Sequence, residues 1–346
     1  MEFEALVELL ISLFSPEELQ MFLHMGPQGD RIVGAIELGN SRQRIAYDAI
    51  VALREARALD REFFRRLREQ RPHRGDEIAA LEARWPGDAV AGVRATHVIT
   101  LVAEVAGQAA AIDDEQIRDA LGACDERSRL QLDLHDCGGA APAWSAGQDK
   151  IRTAVQRYLR EVVLPSGVRH VSLFGLAPIP WLMTLGHAIS ETVEARVFQR
   201  LRTPSTWTWQ TEDTKEGCWL TRQVSAAPDA RAVAVLISAS ARVQFPRVDA
   251  ALPPSSRAVY EISLARPRID AVRSEAQFEE FGRCYRGLLD QIAERHPTIE
   301  HVHVFAAVPV AMAIDCGRRI LHSGDPVVIA YWLVERQYVL ALELRA

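Results

Sequence analysis

The stretch HVSLFGLAPIPWLMTLGHAI, residues 170–189, has a counterpart in HVHVFAAVPVAMAIDCGRRI, residues 301–320. At this fixed offset of 131 residues, and without a gap, six of the twenty positions are identical. Unrelated segments of this composition would share roughly one or two positions, so the match indicates an internal repeat. The identical pairs are His170/His301, Val171/Val302, Phe174/Phe305, Pro178/Pro309, Gly186/Gly317 and Ile189/Ile320.

Apolar strands and helices alternate in the same order around both copies of this stretch. The first copy reads as the strands THVITLVAEVAG, RLQLDLHDC, HVSLFGL and ARVFQRL, with a helix over 148–163. The second reads as AVAVLISAS, AVYEISLA, HVHVFAA and VVIAYWL, with a helix over 277–295. Such alternation predicts parallel strands with right-handed crossovers. We therefore predict an α/β fold of two Rossmann-like halves, about 92–210 and 231–346, joined by a linker over 211–230.

A Rossmann-like half binds ligands where its strands end and the following helices begin. Two halves side by side would form one composite pocket, and small residues in the two strand-to-helix turns would let a ligand approach backbone N–H groups. Trp181 could stack a base, although a role in the core is equally compatible with the pattern. The turn candidates are Gly175, Leu176, Ala177, Ala306, Ala307 and Met312. Further candidates near predicted strand or helix ends, for which plain surface positions are the alternative, are Ser238, Ser240, Arg242, Arg266, Trp144 and Lys150.

Residues 1–85 differ from the rest, because they read as five or six short helices. Ser15-Pro-Glu-Glu18 has the form of a capping box, Ser41 and Asp60 can cap two later helices, and apolar residues recur at helical spacing. Charge is unevenly distributed, which is compatible with a solvated face or with pairing between molecules. The acidic candidates for such an interface are Glu4, Glu8, Glu17 and Glu18, and the basic ones are Arg61, Arg65 and Arg68.

The bulk properties of the 346 residues exclude several classes of protein. The apolar fraction of 48% and the charged fraction of 25% are those of a globular protein, and no apolar run is long enough to span a bilayer. The first residues lack the basic region of a signal peptide, so we expect a cytoplasmic protein. The five cysteines form no CxxC pair, and we expect neither a metal nor a cofactor. A net charge of −6 argues against general nucleic-acid coating.

The α/β part, residues 92–346, resembles the SAVED domain, a fused pair of CARF-like units. The resemblance rests on the two repeated stretches, with an FxxxP…G pattern in each, and on VITLVAEVAG and AVAVLISAS. It implies recognition of a cyclic oligonucleotide, most often a cyclic oligoadenylate, in bacterial anti-phage signalling. One departure lies after the first strand of each half, where Glu104 stands in one copy and Ser238-Ala-Ser240 in the other. Because a carboxylate repels phosphate, we expect the loop at Glu104 to read a base edge or ribose.

The first 83 residues resemble the effector-associated domain of the first type, a death-like helical bundle. The resemblance rests on the order of LVELLISLFSPEELQMFL, SRQRIAYDAIVALREARALDREFFRRLREQRP and GDEIAAL. It implies homotypic pairing that brings a sensor to a separate effector protein.

Three functions are compatible with this sequence. The first is a non-catalytic sensor and adaptor, and the second is a phosphodiesterase that cleaves the same ligand. The third is a ligand-responsive gene regulator, which the acidic net charge and the lack of a helix-turn-helix pattern disfavour. No GxSxG, HExxH or phosphate-loop motif is present, and His135-Asp136-Cys137 favours a turn, so we expect no catalytic residues and rank the sensor first.

Overall fold

The structure is a computed structural model, and it divides the chain into two compact units, Met1–Arg94 and Ala95–Ala346. It describes residues 2–26, 29–36, 41–55, 58–59, 61–84, 95–105, 107–139, 142–189, 193–210, 219–225, 230, 232–252, 257–320 and 325–345. The side chains of Glu4 and Arg61, together with the whole of Asp60, lie outside the described residues, so the predictions made for them have no structural outcome.

The first unit is helical, as predicted from its sequence. Its apolar positions at helical spacing meet in one core, which contains Leu19, Phe22, Ile45, Phe64 and Ile78. Ser15 caps the second helix in the predicted capping box, since its hydroxyl accepts from the Glu18 N–H and Glu18 accepts from the Ser15 N–H. The helices are α1 (Glu2–Leu13), α2 (Pro16–His24), α3 (Gly29–Gly34), α4 (Arg42–Glu55), α5 (Arg61–Gln70) and α6 (Gly75–Arg84).

Three of the charged residues predicted to face another molecule are paired inside this unit. Arg68 is half-buried and forms an ion pair with Glu82 of α6. The Glu18 carboxylate forms an ion pair with Arg71, with an Oε1–Nη2 distance of 3.1 Å. The hydrogen bond from the Ser15 backbone N–H, and then the nearby Arg71 guanidinium, lower the pKa of this carboxyl group. Arg65 is half-exposed and bonds Glu69 one turn further along α5. The prediction of an open arginine face is therefore wrong for Arg68, because bundle packing brings α5 and α6 together.

The second unit contains the strands and helices predicted for the two halves, with several additional elements. Helices α7 and α10 cover outer faces of the sheets, and Leu159–Val163 extends α8 as a π-helical turn. The strands are β1 (Ala95–Val102), β2 (Glu104–Val105), β3 (Gln108–Ala109), β4 (Asp125–Asp133), β5 (His170–Leu176), β6 (Glu194–Val197), β7 (Trp219–Ser225), β8 (Ala232–Ser238), β9 (Arg257–Leu264), β10 (His301–Ala307), β11 (Val327–Val334) and β12 (Gln337–Leu344). The helices are α7 (Asp114–Leu121), α8 (Trp144–Tyr158), α9 (Ile179–Ile189), α10 (Phe245–Ala251), α11 (Glu275–Arg295) and α12 (Val310–Arg318).

The strand order confirms the internal repeat. The first half is a parallel sheet in the order β4-β1-β5-β6, and the second half contains the same parallel order as β9-β8-β10-β11. The second sheet differs from the first by two antiparallel edge strands, β7 beside β9 and β12 beside β11. Each half is thus the predicted Rossmann-like unit, and the second half has been extended at both edges.

The matched glycines of the repeat lie where the two halves meet. Helices α9 and α12 pack directly on each other. A Cβ atom on Gly186 would lie 1.9 Å from the Ile314 carbonyl oxygen, and one on Gly317 would lie 1.9 Å from the Met183 carbonyl oxygen. The reciprocal contacts show that equivalent helices cross at equivalent glycines, so the two halves form one body about an approximate two-fold axis.

Part of the predicted linker is instead a strand. Residues 211–218 lie outside the described residues, but Trp219–Ser225 form β7 at the edge of the second sheet. Trp219 is buried and its indole N–H donates to the Gln277 carbonyl oxygen at 3.2 Å, which anchors the start of this strand. The other six residues of β7 are exposed, and their polar composition explains why the sequence reads as a linker.

Candidate functional site

The loops that follow the central strands of each half lie at the carboxyl edge of its sheet. The Ala103 N–H donates to the Leu176 carbonyl oxygen at 3.0 Å, which joins the loops after β1 and β5. In the second half, the Ala239 and Ser240 N–H groups donate to the Ala307 carbonyl oxygen at 3.0 and 2.8 Å. These equivalent contacts define the candidate site, and the α9–α12 crossing holds its two parts in one body.

Four residues predicted to contact a ligand belong to the packed interior. Trp181 and Met312 are 0% exposed, so neither can stack on a base. Ser238 is also fully buried, and its hydroxyl accepts from the Val243 N–H at 3.1 Å to fix the loop after β8. Gly175 is buried as well, and a Cβ there would lie 2.4 Å from Leu182 Cδ2, the end of a flexible side chain. The full burial of Trp181, Met312 and Ser238 contradicts their predicted ligand contacts, whereas the role of Gly175 stays a prediction.

The helix starts are less open to an anion than the sequence predicts. In α9, Pro180 has no N–H, and the N–H groups of Trp181 and Leu182 both donate to the Pro178 carbonyl oxygen. In α12, the Ala311 N–H donates at 3.1 Å to Oε1 of Gln199, a buried side chain from the first half. Because these three N–H groups already have acceptors, they are not available to a phosphate.

The candidates that remain accessible at this edge of the first half are a carboxylate, an indole and an ammonium group that is paired with a carboxylate. Glu104 and Trp144 are half-buried, and Lys150 is bound to Asp136 with an Nζ–Oδ1 distance of 3.0 Å. This ammonium group lowers the pKa of the Asp136 carboxyl group. Gly138 lies beside Glu104, since its Cβ would be 3.0 Å from that of Glu104, so the loops after β1 and β4 are adjacent.

A carboxylate–imidazole pair also lies at this edge, just after β4. His135 Nδ1 is 2.6 Å from Asp133 Oδ1, which also accepts from the His135 backbone N–H at 2.9 Å. The backbone bond first, and then the ring, lower the pKa of the Asp133 carboxyl group. Within the described part of the chain, His135 Nε2 is screened from solvent and makes no hydrogen bond. The predicted turn is present as a 3₁₀ turn over His135–Cys137, and it places the imidazole of His135 against the Asp133 carboxylate.

The second half presents serine and arginine at the same edge. Ser240 is half-buried, and Arg266 is exposed without an ion pair to any described residue. Arg242 is 50% exposed, and its Nη1 lies 3.7 Å from Oε1 of the buried Glu261. Arg222 Nη2 forms an ion pair with the other oxygen of the same carboxylate, Oε2, at 2.6 Å. Two arginines thus share one carboxylate, and this surface keeps a positive excess. Leu176, Ala306 and Ala307 are half-buried beside it, whereas Ala177 is buried.

Sequence reasoning missed an aromatic contact between the halves. Trp332 of β11 is half-buried with its ring centroid 6.3 Å from that of Trp144, which in turn lies 5.1 Å from buried Trp181. The Trp181 indole N–H donates to the Trp144 carbonyl oxygen at 3.2 Å. The three indoles fix the start of α8 against the second half, which explains why Trp144 is held at the site.

Within the described ranges, no helix combines the length and the apolar character that a membrane span requires. Comparison with curated proteins found no match.

Two solved structures share the fold at low sequence identity. The Acinetobacter baumannii Cap4 SAVED/CARF-domain containing receptor with the cyclic trinucleotide 2'3'3'-cAAA aligns with a TM-score of 0.51 at 13% identity, covering 96% of this chain and 65% of that chain. The same receptor with the cyclic trinucleotide 3'3'3'-cAAA aligns with a TM-score of 0.50 at 14% identity, and it covers the same shares of the two chains. This chain therefore spans less than two thirds of the length of these receptors.

A family model supplies the assignment that the fold alone does not. The model described as "SMODS-associated and fused to various effectors sensor domain", SAVED, matches residues 148–344, which is more than half of the chain. This range includes both repeated stretches and the α9–α12 crossing. The chain belongs to the SAVED family.

Proposed function

We propose that this protein is a sensor of a cyclic oligonucleotide, of the cyclic oligoadenylate class, in anti-phage defence. The observation that carries the proposal is the reciprocal packing of α9 and α12 at Gly186 and Gly317, because it joins two ligand-binding halves in one chain. Membership of the SAVED family and the cyclic trinucleotides named for the two structural neighbours support the same ligand class.

Thermal unfolding with cyclic di-, tri- and tetranucleotides tests the sensor proposal. A ligand at 100 times its Kd adds about 2.7 kcal/mol to the free energy of unfolding. For a unit of this size, that corresponds to a rise in Tm of roughly 5–11 °C. A linear oligonucleotide of the same composition is the control. If no cyclic oligonucleotide of any ring size raises the Tm, this function is wrong.

The first unit, which is helical, would give the protein a second role as an adaptor. Ligand binding would cause self-association, and the clustered helical units would recruit an effector protein that carries a matching effector-associated domain. Clustering raises the effective concentration of weak contacts to about the millimolar range. The exposed side chains of Glu8, Glu17 and Arg65 provide charges of both signs for these contacts. Neither the membrane nor DNA is a partner in this proposal.

Light scattering and effector capture test the adaptor role. We expect ligand to convert the protein into larger assemblies, and Arg65→Glu to abolish effector capture while ligand affinity is unchanged. Arg152→Glu, at an exposed position on α8 of the other unit, is the matched control. A protein that binds ligand tightly but does not assemble, or an Arg65→Glu variant that still captures the effector, would contradict this role.

A second candidate function is cleavage of the same ligand, and the Asp133–His135 pair is the observation that favours it. With Nδ1 bound to Asp133, Nε2 of His135 is the ring atom left to accept a proton from a ribose 2'-hydroxyl, and the groups that screen Nε2 from solvent would have to move aside for it to do so. The hydroxyl would attack the adjacent phosphorus, and the proton would pass to the departing 5'-oxygen. Product analysis after incubation separates the functions: intact ligand supports a sensor, whereas a 2',3'-cyclic phosphate that His135→Ala abolishes supports an enzyme.

A further inference from the structure

Strand register identifies the positions that are equivalent in the two halves. Val102 pairs with Leu176 in the first half, and Ser238 pairs with Ala307 in the second. Leu176 and Ala307 are 131 residues apart and occupy the same position in the repeat. Val102 is therefore equivalent to Ser238, and Glu104, two residues later, is equivalent to Ser240.

The neighbouring strands extend this equivalence. Val102 pairs with Asp133 across β1 and β4, and Ser238 pairs with Ser263 across β8 and β9. Asp133 is therefore equivalent to Ser263. Three residues further along, Asp136 is equivalent to Arg266. At three equivalent positions of the carboxyl edge, the first half carries carboxylates and the second half carries two serines and an arginine.

The charges at these positions differ in how they are compensated. Lys150 pairs with Asp136, and His135 holds Asp133, so two of the three carboxylates have partners. The half-buried carboxylate of Glu104 makes no hydrogen bond or ion pair to a described residue. In the second half, Arg266 likewise has no ion pair within the described residues. One uncompensated carboxylate and one uncompensated guanidinium thus lie on opposite halves of the edge.

Three backbone N–H groups at the starts of α9 and α12 do not change this difference in charge between the halves. The N–H groups of Trp181 and Leu182 in α9 donate to Pro178, and that of Ala311 in α12 donates to Gln199. These three N–H groups are therefore not available to a phosphate, whereas guanidinium groups bind phosphate more strongly than neutral donors do. The second half supplies these groups at Arg242 and Arg266.

We infer that the two halves bind different parts of the ligand: Arg242 and Arg266 of the second half hold its phosphates, and Glu104 of the first half accepts a hydrogen bond from the amino group of a base. The inference rests on the proposed function. A half-buried carboxylate selects a base that presents an exocyclic amino group, as adenine does. Uracil presents carbonyl oxygens on either side of its one N–H, and these would be repelled.

Calorimetric titration of the full chain with cyclic tri-adenylate, at several salt concentrations, tests the phosphate part. We expect Arg266→Gln and Arg242→Gln each to weaken binding by roughly tenfold or more, since bonds to charged groups contribute most. The slope of log Kd against log salt should also become shallower by up to ~0.7 per lost phosphate contact. Arg268→Gln, on an exposed neighbouring position, is the control for net charge.

Comparison of cyclic tri-adenylate with cyclic tri-uridylate tests the base part. The wild-type protein should prefer the adenine ligand by roughly tenfold or more, and Glu104→Gln should narrow this preference with little change in salt slope. Ser240→Glu places the same carboxylate at the equivalent position of the other half. This variant should bind both ligands at least about tenfold more weakly, because the new carboxylate repels phosphate.

Each possible result has a definite consequence. Wild-type salt slopes and affinities in both arginine variants, or an unchanged base preference in Glu104→Gln, would overturn the inference while leaving the sensor function intact. Binding of neither ligand by the wild-type protein, together with no thermal shift from any cyclic oligonucleotide, would overturn the proposed function and the inference with it.

Discussion

Replacement of Gly317 by alanine tests whether the helix crossing joins the two halves. The new Cβ would lie 1.9 Å from the Met183 carbonyl oxygen and 2.9 Å from the His187 backbone nitrogen. Ordinary carbon–oxygen contacts are about 3.5 Å, so the helices must separate by more than ~1 Å. Overpacking of a core typically costs 1–3 kcal/mol, and here rigid backbone cannot rotate away. We therefore expect a loss of about 3 kcal/mol or more in the free energy of unfolding.

Tryptophan fluorescence during thermal unfolding measures this loss, because six of the seven tryptophans lie after residue 94. A loss of 3 kcal/mol corresponds to a fall in Tm of roughly 6–12 °C for a unit of this size. Gly287→Ala on α11 is the matched control, since its Cβ would meet no atom within 4 Å. The control should raise the Tm slightly, because alanine favours a helix over glycine. Equal shifts in both variants would refute the crossing as a close contact.

Three further variants test other parts of the structure. Burial holds the pKa of His303 at about 4, below its ordinary 6.5. Between pH 6.5 and pH 4 this imidazole is therefore protonated in the unfolded chain but neutral in the folded protein. The free energy of unfolding should fall by up to about 3 kcal/mol as the pH drops from 6.5 to 4. In urea titrations, His303→Asn should make this pH dependence weaker. Ser15→Ala removes the capping box and should lower the free energy of unfolding, measured by circular dichroism, by about 1 kcal/mol, whereas Ser15→Thr should leave it nearly unchanged. Gln199→Leu leaves the Ala311 N–H unpaired and should cost about 1–3 kcal/mol in denaturant, whereas Gln199→Glu should retain the acceptor.

The duplicated fold could be predicted because its signal is repeated in the sequence. Buried parallel strands are apolar throughout, and the fixed offset aligned β5 with β10 and α9 with α12. The edge strands β7 and β12 were missed for the opposite reason. In β7, four of the seven residues are polar and six are exposed, so the segment resembles a loop, whereas β12 is mostly apolar but has no counterpart among the strands of the first half.

The candidate site was predicted less well, because its location follows from the sequence but the direction of its side chains does not. Trp181 lies on α9, whose residues Pro180 to His187 are all buried. A helix that is apolar on every side is typical of a fully buried helix, and this property already favoured a core position for the indole. Gln199 gave no local signal, since it caps a helix 112 residues further along the chain.

The single chain as a complete ligand-binding body is the central claim, and the binding stoichiometry tests it most directly. Isothermal titration of this 346-residue chain with cyclic tri-adenylate, or with the cyclic oligonucleotide that raises the Tm most, gives the number of ligands per chain. One ligand per chain is expected, because both halves of the pocket lie in the same polypeptide, whether or not the complexes then assemble. One ligand per two chains would place the pocket between molecules and contradict the account.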